Sequence, residues 1–262
     1  MPRNLCAGTL LVFLLPAALP AASKAAGRSE PVHLRPDLQV EALAPGVWLH
    51  TSQAPSGPFQ GAAANGLLAQ IEGGLLLVDT AWTDEQTEAL LGWVKTGPRL
   101  PIQMAVLTHA HPDRMGGLGA LRTAGIPAGA LDLTVTKAKQ SGAAPDVLFT
   151  AGQQLLRDPR GFELFYPGAG HTADNIVVWL PGPRVLFGGC LVKEAAASGL
   201  GNVAEADLSS WPRAVQAVIL RYPAAAMVVP GHGAVGSLAA LGHTLELLRQ
   251  GAGTPATPGQ TH

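Results

Sequence analysis

The chain has 262 residues, with 17 lysines and arginines against 18 acidic residues, a formal net charge of −1, and it is 47% hydrophobic and only 13% charged. It is too apolar for a disordered chain, and with no polybasic run it offers nucleic acid no electrostatic footprint. Two cysteines exclude a disulfide framework, and 32 glycines with 22 prolines, spread without a period, imply many turns rather than a collagen-like or solenoid array.

Residues 1–26 open with Arg3, run through apolar Leu10–Leu15 and reach small residues at Ala17-Ala18 and Ala21-Ala22-Ser23. This is the layout of a secretory signal, with cleavage expected after a residue between 22 and 26. Pro16 and Pro20 break the run short of the ~20 apolar residues that a membrane span needs, so no stable membrane anchor is expected. Residues 27–262 then form a single domain whose one remaining thiol is Cys190, since Cys6 leaves with the signal. An unpaired cysteine in an oxidising compartment calls for burial or metal ligation.

Gln39–Ala42 and Gly46–His50 read as short strands around a Pro45-Gly46 turn, and Gly66–Ile71 with Leu75–Asp79 as a hairpin across Glu72-Gly73-Gly74. Thr83-Asp84-Glu85-Gln86 fits a capping box, and Leu90, Leu91, Trp93 and Val94 follow at helical spacing until Gly97-Pro98. Ile102–Leu107 reads as a buried strand, Met115–Ala124 and Leu131–Lys139 as helices, and Phe162–Tyr166, Ile176–Leu180 and Val185–Phe187 as strands. Asp207 is placed to cap a helix through Ile219, Met227–Val229 forms a last strand, and Ser237–Arg249 a closing helix. The order gives two comparable halves of locally pairing strands, which fits two sheets covered by outer helices better than one doubly wound sheet. Gln53–Asn65, with Phe59 near its middle, is the loosest internal stretch.

The strand Ile102–Leu107 runs into Thr108-His109-Ala110-His111-Pro112-Asp113-Arg114, so two imidazoles and a carboxylate follow a strand end within five residues. Gly170-His171-Thr172, Gly188-Gly189-Cys190 and Pro230-Gly231-His232-Gly233 likewise sit beside apolar strands and next to glycine. Core packing gives no reason to repeat ionisable groups at alternate positions. Imidazole, carboxylate and thiolate are the donors that hold zinc, and six of them suit two ions. His33, His50, His243 and His262, each standing alone, read as surface or satisfied histidines. Lys95-Thr96-Gly97 matches one tripeptide of the serine β-lactamases, but Ser-x-x-Lys, Ser-Asp-Asn and Gly-x-Ser-x-Gly are all absent, so no serine nucleophile is indicated.

From about Gln39 to Leu248 the sequence resembles the metallo-β-lactamases. Arg114 and Cys190 occupy places where many related thioesterases, lactonases and phosphodiesterases carry a further histidine and a bridging aspartate, which narrows the likeness to subclass B1. Asp79-Thr80-Ala81-Trp82, His171-Thr172-Ala173-Asp174-Asn175, Gly188–Lys193 and Gly201–Asp207 look most like the New Delhi and Verona integron-encoded branch. The resemblance implies an α/β (α+β) αββα sandwich, two mixed sheets with outer helices and the site along one edge. It also implies two Zn2+ ions, one held by His109, His111 and His171, the other by Asp113, Cys190 and His232. Asp113 and Asn202 would be catalytic, with Lys193, Asn202, Trp82 and Phe59 binding substrate. Asn202 has a second reading as a turn former and Trp82 as a core residue. Asp79, Thr108 and Arg114 would orient the ligands and balance their charge. The implied activity is opening of the β-lactam amide of penicillins, cephalosporins and carbapenems by a periplasmic monomer; the alternative is another hydrolase of the same superfamily, acting on thioesters, lactones or phosphodiesters.

Overall fold

The computed structural model describes Met1 and residues 30–140 and 142–251. Apart from Met1, the expected signal segment lies outside the described residues.

The first sheet begins as an antiparallel meander of β1 (Val32–Arg35), β2 (Leu38–Ala44), β3 (Val47–Gln53), β4 (Ala63–Ile71) and β5 (Gly74–Val78). It continues in parallel with β6 (Ile102–Leu107), β7 (Ala128–Leu131) and β8 (Asp146–Phe149). Parallel neighbours need crossovers, which are supplied by helix α1 (Asp84–Thr96), the short α2 (Pro112–Met115) and α3 (Leu118–Thr123), and α4 (Asp132–Gln140). The second sheet is antiparallel through β9 (Leu155–Asp158), β10 (Phe162–Phe165), β11 (Val177–Leu180) and β12 (Val185–Gly189). Helix α5 (Trp211–Arg221) then returns the chain to β13 (Met227–Pro230), parallel to β12, and α6 (Ala239–Gly251) closes the fold.

Alternation along the strands divides the apolar residues into three layers. Leu76, Val78 and Val106 of the first sheet pack against Leu164, Val178 and Phe187 of the second, while Leu75, Leu77 and Leu107 face Leu90, Leu121 and Val135 of the helices outside. On the other flank Val177, Leu186 and Val228 meet Trp211, Val215 and Leu241. Central strands are thus buried on both faces, which explains why β5 and β6 read as unbroken apolar runs. Both sheets are mixed and helices cover the outer faces, as the sandwich reading requires.

The expected hairpins and the cap of α1 are present, the Thr83 hydroxyl accepting the Gln86 N–H at 3.2 Å. Besides leaving the short strands β1, β7, β8 and β9 unassigned, the sequence reading errs in four places. Met115–Ala124 is not one helix: Gly116 and Gly117 separate α2 from α3, because each lies where a side chain would strike Trp82 or Thr87. Leu131 ends a strand instead of starting a helix. Asp207 does not occupy the cap position of α5, which belongs to Ser210; its carboxylate instead accepts the Ser209 and Ser210 N–H groups one turn earlier. The halves are also unequal, with eight strands against five.

Candidate metal centre

The parallel pairs β5/β6 and β12/β13 end on one edge of the sandwich, so residues just past those strands meet there. Asp79 follows β5, Thr108 and His109 follow β6, Cys190 follows β12, and His232 stands two residues beyond β13. Two backbone features permit the approach. Gly189 has φ of 54°, a left-handed conformation that glycine adopts without strain, and a Cβ on Gly231 would lie 2.6 Å from the Cys190 sulfur. Asn65 of β4 sews the sheets together, its backbone N–H donating to Gly231 O at 2.8 Å and its amide to Pro230 O and Gly233 O at 3.0 and 2.8 Å.

His109, His111 and His171 form one cluster, with ring centroids 4.6, 5.1 and 5.3 Å apart in pairs. His109 Nε2 and His111 Nδ1 face each other at 3.1 Å. Burial is the main cause that holds all three imidazoles below their usual range, well below it for His109 and His171. Neutral rings that turn nitrogen lone pairs toward one point are a cation site. Asp113, Cys190 and His232 form the second cluster, and in each cluster one ligand atom per residue lies within 4.8 Å of the others. His232 Nδ1 donates to Ala63 O at 2.6 Å, which leaves Nε2 facing Asp113 Oδ2 at 3.2 Å and Cys190 Sγ at 3.4 Å. Burial disfavours the charged form of His232, but the Cys190 charge and the Asp113 hydrogen bond outweigh it and push its pKa up to about 10. A metal ion would take the place of that proton. Both donor sets therefore fit metal ions.

Arg114 is fully buried behind the second cluster. Its guanidinium donates to Asp113 Oδ2 at 2.9 and 2.7 Å, to Asn65 O at 2.6 Å, to Gly231 O at 2.9 Å and to Asp79 Oδ2 at 3.3 Å. Burial alone would raise the Asp113 carboxyl, but the Arg114 charge overrides it and holds Asp113 well below the usual carboxylate range. Asp79, at φ of 59°, is fixed by the Thr108 N–H at 2.7 Å and hydroxyl at 2.8 Å; burial pushes its pKa up to about 6 against those donors.

A cavity of about 550 Å³ opens over both clusters, lined by Lys193, Glu194, Asn202, Glu205, Trp82 and Phe59 as well as the ligands His111, Asp113, His171 and His232. Lys193 is half-buried, its Nζ 5.3 Å from the centre of the Trp211 ring. Asn202 serves its own turn, Oδ1 accepting the Ala204 N–H at 3.1 Å, and lines the cavity as well. Trp82 is half-buried, 6.2 Å from Phe59 ring to ring, so it belongs to the cleft wall and not to the core. His50 is buried in β3, its Nε2 3.2 Å from Asp79 O and its Nδ1 without a partner, and burial lowers its pKa to about 4.

Sequence reasoning missed several residues that hold the ligand loops. Asp174 accepts the Ala110 N–H at 2.9 Å, and Asn175 bridges the His171 loop, accepting Thr172 N–H and donating to Gly168 O, each at 3.0 Å. Both stood inside the motif after His171, where an acidic or amide residue beside a ligand was the available signal.

Two ligand clusters that meet one cavity, the second backed by a buried arginine, on one edge of an αββα sandwich, define a metal-dependent hydrolase. The chain belongs to the metallo-β-lactamase superfamily, whose family model matches residues 61–232, and within it to the B1 type. It is 41% identical over 215 residues to a metallo-β-lactamase type 2 of Bacillus cereus, covering 81% of this chain and 83% of that one. A metallo-β-lactamase type 2 of Bacteroides fragilis is 33% identical over 242 residues, or 92% and 94% of the two chains. The solved metallo-β-lactamase from Pontibacter korlensis superposes with a TM-score of 0.75 at 43% identity, covering 81% of this chain and 99% of that one.

Proposed function

We propose that this chain is a periplasmic zinc β-lactamase that opens the amide ring of penicillins, cephalosporins and carbapenems and so confers resistance to them. The observation that carries the reading is the cavity in which both ligand clusters meet a half-buried lysine and an asparagine. His109, His111 and His171 would hold one zinc, and Asp113, Cys190 and His232 a second. When bound, zinc supplies Lewis acidity, which makes water nucleophilic near neutral pH and polarises a carbonyl.

The chain's own groups do the remaining work. Asp113, ionised by Arg114, orients the attacking water or relays its proton, which ends on the lactam nitrogen as the C–N bond breaks. With its Oδ1 committed to Ala204, Asn202 has its amide N–H groups to donate to the oxyanion that develops on the lactam carbonyl. The Lys193 ammonium pairs with the carboxylate that these antibiotics share, and Trp82 and Phe59 cover the apolar substituents. An anchor made of one carboxylate and one strained amide accounts for breadth across the three classes and for weak action on monobactams. Gly201–Asp207 and the motif around Cys190 support kinship with the New Delhi, Verona integron-encoded and Florence carbapenemases. The apolar run near the N-terminus supports export, and no surface feature among the described residues calls for more than a monomer.

Carbapenem hydrolysis by the purified protein, followed by ultraviolet absorbance, tests the reading. Turnover should disappear with a chelator and return with zinc at two ions per chain. No turnover with two ions bound would overturn it in favour of thioester or lactone substrates.

A further inference from the structure

Of the three histidines of the first cluster, His111 alone has its outer ring nitrogen against a carboxylate. Its Nδ1 faces His109, and its Nε2 lies 3.4 Å from Glu205 Oε2. The outer nitrogen of His109 has only the Thr108 hydroxyl at 3.5 Å, and His171 Nδ1 is buried without a partner. Glu205 lies on the loop that carries Asn202, and its Oε2 also accepts from Lys137 of α4. The Lys137 ammonium is in turn 3.8 Å from Asp174 Oδ1, a buried oxygen with no hydrogen bond, while Asp174 Oδ2 holds the Ala110 N–H. One lysine therefore touches both carboxylates that flank His109-Ala110-His111.

We infer that Lys137 and Glu205 are positioning residues for the three-histidine site: Lys137 pins Glu205, whose carboxylate accepts the His111 Nε2 proton, fixes that ring with Nδ1 toward the ion, and ties the Asn202 loop to the metal centre. A carboxylate on the outer nitrogen of a ligand histidine sets its tautomer and raises its basicity. Neither Lys137 nor Glu205 is buried, so their pairing adds little to the stability of the fold, and its effect falls on the ligand. The inference rests on the zinc reading of this cluster, but its test needs no β-lactam.

Zinc affinity is measured by competition with a chromophoric chelator for the wild type, Lys137→Met, Glu205→Gln, the double variant and Lys137→Arg, with the metal-free thermal midpoint of each. Lys137→Met and Glu205→Gln should each weaken zinc binding about tenfold. The double variant should be no weaker than Glu205→Gln, Lys137→Arg should restore affinity, and the midpoints should not move. Unchanged affinity, fully multiplicative losses in the double variant, or losses that follow a fall in the midpoint would each overturn the inference. A wild type that binds zinc but turns over no carbapenem would sink the proposed function and leave this test intact.

Discussion

Arg114 concentrates the problem of the site in one side chain. The cluster behind it brings a carboxylate to 3.6 Å from a cysteine sulfur, with a second buried carboxylate, Asp79, beyond. Asp79 is fully buried and Asp113 nearly so, so water screens them little and a cation inside the protein has to balance their charge. The planar guanidinium does this with two bonds, from Nε and Nη2, that converge on the one Asp113 oxygen Oδ2, while its other donations satisfy the Asn65 and Gly231 carbonyls. Lysine keeps the charge but cannot reproduce the fork. Removing one partner from a buried ion cluster costs about 3–5 kcal/mol. Urea unfolding of metal-free protein should therefore show Arg114→Ala destabilised by roughly that amount, and Arg114→Lys only partly rescued. A loss of under about 1 kcal/mol for Arg114→Ala would mean that the cluster is not a tightly coupled buried one.

At the scale of elements, the break between α2 and α3 is what aims Asp113. A Cβ on Gly116 would sit 1.9 Å from Trp82 O and 2.7 Å from Pro112 O, and backbone oxygens cannot swing aside as a flexible side chain can. Gly116→Ala should shift α2, costing about 1–3 kcal/mol as overpacking does, and should weaken zinc binding at the Asp113 cluster. Thr83→Ala, which removes the cap of α1, should cost about 1 kcal/mol and leave zinc affinity unchanged. Equal zinc affinity in both variants would refute the role given to the break. The same break shows where sequence stops being legible. The apolar period of Met115–Ala124 runs through the two glycines, and only the approach of Trp82 and Thr87, from a distant part of the chain, explains the interruption. β1, β8 and β9 have at most one buried residue each and β7 is Ala-Gly-Ala-Leu, so none of them shows the apolar run by which the equally short β10, β11 and β13 were read. The ligand loops were legible because glycine and ionisable residues after apolar strands have no packing rationale. Glu205 and Lys137 were not singled out, since a lone glutamate and a lone lysine look like any solvated surface pair.

For the whole molecule, placing the centre between two sheets makes pH a global variable. His50, His109 and His171 are neutral in the fold because burial outweighs other effects, so each binds a proton on unfolding once the pH is below about 6.5. The stability they contribute is present above pH 6.5 and is lost as the pH falls, for His50 down to about 4. Asp79 has the opposite sign, because its folded pKa of about 6 lies above its ordinary value; its contribution is present below about 4 and lost as the pH rises through 6. One carboxyl cancels one of these three histidines, His111 acts in the same direction as they do, and the net trend between pH 4 and 6.5 is a gain of stability with rising pH. Above pH 6.5 His232 takes over. Its folded pKa of about 10 means that the fold holds a proton the unfolded chain has released, so stability falls as the pH rises toward 10. Within that window the slope approaches the ~1.4 kcal/mol per pH unit of one full proton; because His232 keeps an open face toward the cavity, water screens it and shortens the window. Metal-free protein should therefore be most stable near pH 6.5, with a steep acid limb and a gentle alkaline one. Zinc, in displacing the His232 proton, should abolish the alkaline limb. Urea unfolding at pH 5, 6.5 and 8, with chelator and with zinc, checks both statements. A metal-free stability that climbs steadily from pH 6.5 to 8 would remove the proton from His232 and, with it, the charge balance assigned to the second cluster.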